Sequence, residues 1–167
     1  MTRRLTHMHR GRPRMVEVGD KDVTAREAVA EGVLVTSAAA LDAVRQSTGP
    51  KGDPLTVASI AGIQAAKRTA ELIPLCHPLP LTGIDVVVEP DDELPGLRAR
   101  ATVRVSGRTG VEMEALTAVT MALLTAYDML KAVDRTMRIE SVRLVRKAGG
   151  RSGEWGADEE REETERV

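Results

Sequence analysis

Between Leu97 and Val105 the chain alternates without a fault: Leu97, Ala99, Ala101, Val103 and Val105 carry one face, and Arg98, Arg100, Thr102 and Arg104 the other. A period of two with one apolar and one polar face is the pattern of an antiparallel strand covered on one side only. Pro90 to Gly96 reads as a turn and Ile84 to Val88 as the partner strand, so the two form a hairpin. The fold must therefore contain a sheet with one face buried. The element that covers it is legible as well. From Glu112 to Val133, the residues Leu116, Val119, Leu123, Ala126 and Leu130 recur at three- and four-residue spacing, the stripe of an amphipathic helix.

The remaining segments are expected to complete a single domain. Thr24 with Glu27 three residues on has the spacing of a capping box, which predicts a short helix from Thr24 to Glu31. Val33 to Thr36 reads as a short strand, and Ser37 to Gln46 as a helix capped by Ser37. Leu55 to Ile73 carries a helical stripe that Pro74 stops. Three prolines between Pro74 and Pro80 make that segment a stiff, extended loop. A last strand runs from about Met137 to Val145, where the apolar phase shifts between Ile139 and Val142, as a β-bulge would require. The order strand, helix, strand, strand, helix, strand is that of the ferredoxin-like split βαβ, an α+β fold with helices on one face of an antiparallel sheet.

At 167 residues the chain has room for one domain with a real core, yet it has no Phe, one Tyr and one Trp. The core must be built from aliphatic side chains. Sequence-tolerant binding of single strands by aromatic stacking is excluded on the same ground. With Cys76 alone no intrachain disulfide can form, and no apolar leader or run of membrane-spanning length stands out, so a reducing cytoplasm is the expected location and a membrane is not an expected partner. The net charge of -1 divides into +5 over residues 1–14, -5 over residues 154–167 and -1 between them. A disordered basic arm (1–14), one catalytic domain (15–155) and an acidic tail (156–167) are the expected organisation.

Only five of the 24 basic residues are lysines: Lys21, Lys51, Lys67, Lys131 and Lys147. In a chain that uses arginine for generic charge, a retained lysine hints at a need arginine cannot meet, such as a lowered pKa for proton transfer. Asp128 and Lys131, three apart on the long helix, share a face and can act as an acid and base pair, although most such pairs are exposed salt bridges. Glu112, Met113 and Glu114 begin that helix, where carboxylates complement its dipole. The two carboxylates point about 200° apart, so they are expected to serve different faces. His77 stands in the proline-rich loop beside Cys76, and the other histidines, His7 and His9, lie in the basic arm, so no metal site is expected. Lys147 to Gly153 is glycine-rich and could cradle phosphate with Lys147 and Arg151, without the order of a P-loop.

Lys51-Gly-Asp, the run from Ile60 to Leu79 ending Pro-Leu-Cys-His-Pro-Leu, Thr109 to Thr117, Tyr127 to Lys131 and Lys147 to Gly153 together resemble the molybdenum cofactor biosynthesis protein C family, the cyclic pyranopterin monophosphate synthases. The resemblance covers about Met15 to Trp155. It implies a ferredoxin-like subunit assembled as a homohexamer, a trimer of dimers, with active sites at subunit interfaces. It implies a lyase reaction in which a cyclised GTP derivative becomes cyclic pyranopterin monophosphate with loss of pyrophosphate. No cofactor is required on this reading, though Mg2+ could accompany the phosphates. Matched one at a time, Asp128 takes the place of the active-site acid or base, and Lys51 and Lys131 those of proton-shuttling lysines. Leu75, Cys76, His77, Glu112, Met113 and Glu114 fall on substrate-contacting segments, and Arg26, Lys67, Lys147 and Arg151 on basic positions that hold phosphate. Arg151 stands where many relatives carry Lys, and Gly19-Asp20 departs from the usual pattern. Lys21 has no role on this reading. Competing expectations are a non-catalytic module binding a nucleoside triphosphate through Lys67, Lys147 and Arg151, and nucleic-acid binding by the basic arm, which is the weaker.

Overall fold

The computed structural model describes residues 7–9, 11–46, 52–151 and 153–157. In chain order its elements are β1 (Met8–His9), β2 (Arg12–Pro13), β3 (Thr24–Val35), α1 (Ala38–Arg45), α2 (Pro54–Lys67), α3 (Thr69–Leu72), β4 (Leu81–Asp91), β5 (Gly96–Gly107), α4 (Glu112–Leu130), β6 (Arg138–Ala148) and β7 (Trp155–Gly156). β1 and β2 form a small antiparallel pair within the basic N-terminal segment. The other strands make one antiparallel sheet in the order β4-β5-β3-β6-β7. Its long strands have the ferredoxin-like arrangement, with α2 and α4 packed on one face.

The hairpin forms as its alternation demands: Leu97, Ala99, Ala101 and Val103 are fully buried while Arg98, Arg100 and Arg104 lie opposite. The helix expected over Thr24 to Glu31 does not form. That segment is the first part of β3, the central strand, paired along its length with β5 and with β6. Ala28, Ala30 and Leu34 point into the core, and Glu27 and Glu31 point out. Ladder bonds on both edges outweigh the modest helix preference of alanine and glutamate. Gly32 belongs to the inner row, where a Cβ would come within 3.0 Å of Leu123 and Val119 of α4.

On the outer face, Glu27 bridges Arg104 at 2.7 Å and Arg146 at 2.8 Å, and Glu31 bridges Arg143 at 2.8 Å and Arg100 at 3.5 Å. Each carboxylate of the central strand is thus held between arginines of the two flanking strands. The phase shift in β6 is a bulge: its register with β3 slips between Glu31 and Val33, and Ser141 adopts φ 54 there.

Asp53 caps α2 by accepting from the amides of Leu55 and Thr56, with Pro54 in the first turn, where its missing N–H costs nothing. The long helical stripe ends sooner than Pro74, because Arg68 leaves the helical conformation and Thr69 turns its hydroxyl back onto the carbonyls of Ala65 and Ala66. β3 and β4 both run antiparallel to β5, so α2 and α4 return in opposite senses. They approach closely where Gly62 meets Ala118 and Ala122. With no Phe the core consists of such small contacts, Ala115, Ala118, Ala122 and Ala126 of α4 all being fully buried. α4 is long and apolar enough to cross a membrane by length and composition, but its buried side is this core face.

Asp134, after α4, fastens the end of that helix to the start of α1. Its carboxylate accepts from the Thr36 hydroxyl at 3.1 Å, the Ser37 amide at 2.9 Å, and the amide and hydroxyl of Thr136 at 2.8 Å. The bonds from Thr136 foremost, then those from Ser37 and Thr36, hold its pKa down to about 2.

Candidate active site

α3 ends at Leu72, and the turn through Pro74 carries Leu75, Cys76 and His77 past the N-terminus of α4. There the side chains of Glu112, Met113 and Glu114, with Thr109 and Gly110 before them, meet Lys147 arriving on β6. The result is a cavity of about 450 Å³. Leu75, Cys76, His77, Glu112, Met113, Glu114 and Lys147, all expected at a substrate, line it together.

Its electrostatics are set by the carboxylates. Glu112 accepts from Lys147 Nζ at 3.2 Å, so that pair is mutually neutralised. Glu114 is buried, and burial, reinforced by the Glu112 charge, pushes its carboxyl above the ordinary range. Burial also raises the Cys76 thiol, with the charge of Glu114 adding to the effect, which keeps Cys76 a thiol rather than a nucleophilic thiolate. The two glutamates were expected to serve different faces of the helix. Both line the cavity, because it lies across the helix end: Glu112 enters from the half-exposed side and Glu114 from the core side.

A strap of chain before β3 forms the remaining wall with Val16, Val18 and Lys21. His77 Nε2 lies 2.8 Å from the Val16 carbonyl, which can only accept, so that nitrogen carries the proton. Arg108 donates to the Gly19 carbonyl, and the Glu17 carboxylate accepts from the amides of Val18 and Gly19. A second chamber of about 360 Å³ adjoins, lined by Lys21, Asp22, Thr24, Arg26, Gly150 and Arg151. Arg26 is aimed by the backbone: Nε donates to the Gly107 carbonyl at 3.0 Å and Nη2 to that of Arg108 at 3.2 Å. Three cations face one carboxylate there, which suits an anion. Gly150 adopts φ +73, which favours glycine, and a Cβ there would displace the Arg26 guanidinium from its two carbonyls.

The other expected residues lie elsewhere. Asp128 and Lys131 pair at 2.6 Å, each about half-exposed, at the far end of α4. Sixteen residues separate Glu112 from Asp128, about 24 Å along the helix axis. Lys67 is exposed at the C-terminal end of α2 and is in neither chamber's lining. Lys51 lies outside the described residues. Lys21, given no role from the sequence, lines both chambers, and His7, set aside with the basic arm, lines the first. The signal for Lys21 was its being lysine at all. Among the described residues no group of three or more His, Cys, Asp or Glu could hold a metal ion.

Residues 15–150 match the model of the MoaC family. The chain belongs to the MoaC family. The matched span holds the strap, both chambers apart from His7 and Arg151, and the Asp128–Lys131 pair. Cyclic pyranopterin monophosphate synthases of Brucella ovis and Brucella melitensis are each 53% identical over 160 residues, which is 95% of this chain and 97% of theirs. The synthase of Brucella canis is 52% identical over the same length. The alignments with these relatives run through both chambers and the distant pair.

Proposed function

We infer that this protein is a cyclic pyranopterin monophosphate synthase, which converts the cyclised GTP derivative 3',8-cyclo-7,8-dihydro-GTP to cyclic pyranopterin monophosphate and pyrophosphate in molybdenum cofactor biosynthesis. The observation that carries the reading is the union of a carboxylate-lined chamber with a cation-lined one at Lys21. A purine-derived ring offers N–H donors along one edge, which the carboxylates of Glu112 and Glu114 can accept. Neither Tyr127 nor Trp155 of the same subunit lines the chambers, so what one subunit offers the ring is hydrogen bonds. The triphosphate extends toward Arg26 and Arg151, where a guanidinium can grip two oxygens at once.

As a phosphorus–oxygen lyase the enzyme closes the cyclic phosphate. An internal hydroxyl forms a bond to the innermost phosphorus while the bond to the bridging oxygen breaks, and the electron pair departs on pyrophosphate. The hydroxyl proton passes to a base, for which Asp128, assisted by Lys131, is the candidate. Glu114, its carboxyl held above the ordinary range by burial, is the more basic carboxylate and can take up a proton from the ring. Cations supply the charge that the phosphates need, and Mg2+ can enter with them as part of the substrate.

Asp128 and Lys131 can serve this site only from another copy of the chain. Their distance from the cavity and their exposure support an interfacial active site, in a hexamer built as a trimer of dimers. The free thiol of Cys76 suits a reducing cytoplasm. Incubation with the cyclised GTP derivative is expected to yield pyrophosphate and the cyclic monophosphate together. Tight binding of that compound with release of neither would overturn the reading in favour of a binding module.

A further inference from the structure

Among the described residues Lys21 alone lines both chambers, and it has no carboxylate within ion-pair reach there. The neighbouring charges are already committed. Glu112 is held by Lys147, and the Arg26 guanidinium is fixed by two carbonyls. Asp22, on the second chamber's wall, is the carboxylate that faces the same space. The backbone beneath Lys21 is nonetheless fixed. The Lys21 amide donates to the Val18 carbonyl at 3.1 Å, Arg108 ties down Gly19, and His77 ties down Val16. An unpaired ammonium is therefore held at the junction of the two chambers on a strap anchored at both ends.

We propose that Lys21 binds the innermost phosphate of the substrate, the one at which the phosphorus–oxygen bond is exchanged. This rests on the reaction inferred above and adds a residue to it. In a ligand whose ring fills the carboxylate chamber and whose outer phosphates fill the cationic one, covalent connectivity puts the innermost phosphate at the junction. Lysine suits that place better than arginine. Its compact ammonium, with three donors on a flexible stem, can follow oxygens that move as the phosphorus passes from four to five neighbours, whereas a guanidinium fork imposes one fixed geometry. Lys21 takes no proton in this step; it supplies charge where negative charge is shared between the entering and leaving oxygens. Arg26 and Arg151 hold the part that leaves.

The division of labour separates two measurements. In the Lys21→Met variant kcat/KM for the cyclised GTP derivative is expected to fall about 10- to 100-fold, the loss of one charge-assisted contact. Inhibition by added pyrophosphate, held chiefly by Arg26 and Arg151 with Lys21 at the junction, is expected to weaken clearly less than in Arg151→Ala, and an unchanged Tm reports an intact fold. Lys21→Arg restores part of the loss, and Arg151→Ala weakens pyrophosphate inhibition. Wild-type turnover beside an unimpaired Lys21→Met overturns this assignment alone. Pyrophosphate inhibition weakened by Lys21→Met as strongly as by Arg151→Ala also overturns it, by moving Lys21 to the outer phosphates. If the wild-type protein releases no pyrophosphate, the inferred reaction fails and the assignment falls with it.

Discussion

Glu114 concentrates a conflict between stability and chemistry in one side chain. It is buried, and its carboxyl titrates above the ordinary range chiefly because burial penalises the charged form. A group whose folded pKa exceeds its unfolded one binds its proton more tightly in the folded state. Its contribution to stability is therefore full at low pH and is lost as pH rises through the folded pKa. At neutral pH the amide in Glu114→Gln removes that penalty, so Tm is expected to rise by about 1–3 °C. The same change exchanges an acceptor that can be charged for a neutral amide, and kcat/KM is expected to fall about 10- to 100-fold. A thermal melt and a turnover assay on one preparation test both, and a variant less stable yet fully active contradicts the role. At this scale much of the site was legible: residues 75–77, 112–114 and Lys147 converge as expected. The error over the two glutamates came from reading azimuth around a helix without asking whether a ligand would lie beside the helix or across its end. Lys21 escaped because its neighbours in space, Arg26 and Gly150, are set by strand pairing that no local pattern announces.

Secondary elements position the site through close approach of small residues. α2 and α4 meet at Gly62, where a Cβ would sit 2.9 Å from the Ala118 carbonyl oxygen and 3.0 Å from Val86 Cγ1. Gly62→Ala gains the helix preference of alanine, about 1 kcal/mol, but forces α2 away from α4 at an overpacking cost of about 1–3 kcal/mol. The net effect is expected to be a loss of about 1 kcal/mol and a fall in Tm of about 2–4 °C, read from a thermal melt. An unchanged or raised Tm would mean that the helices separate freely. Elements with one dry and one wet face were the legible ones. β5 and α4 follow their periods, and the bulge in β6 stands where the apolar phase slips. β3 was misread because the central strand is covered on both faces: alanines and Gly32 lie under α4, and its glutamates are clamped by arginines from both neighbours. A strand so enclosed loses the apolar and polar contrast that marks a strand, and its Ala-Glu composition then reads as helix.

For the whole molecule the decisive dimension is the length of α4. The cavity lies at one end, the Asp128–Lys131 pair at the other, and between them the exposed side of the helix offers Thr120 and Leu124 with no charge. α2 runs the opposite way, so Asp53 at its start lies toward the Asp128 end and Lys67 toward the cavity end. On the proposed reading the cavity and the Asp128–Lys131 pair are two half-sites about 24 Å apart along one helix axis, too far for one ligand to touch both. A twofold pairing would lay each half against the other's complement and make two equivalent sites. Complementation tests this directly. Glu114→Gln damages the cavity half and Asp128→Asn the acid and base half, and each homogeneous variant is expected to be strongly impaired. If both halves come from one chain, mixing and reassociating the two variants changes nothing, because every site still carries one defect. If a site draws one half from each copy, mixed pairs contain one site with both defects and one with neither. Activity is then expected to rise well above the average of the parents once subunits have exchanged, and to fall back when the mixture is diluted and sorted into its homogeneous parents.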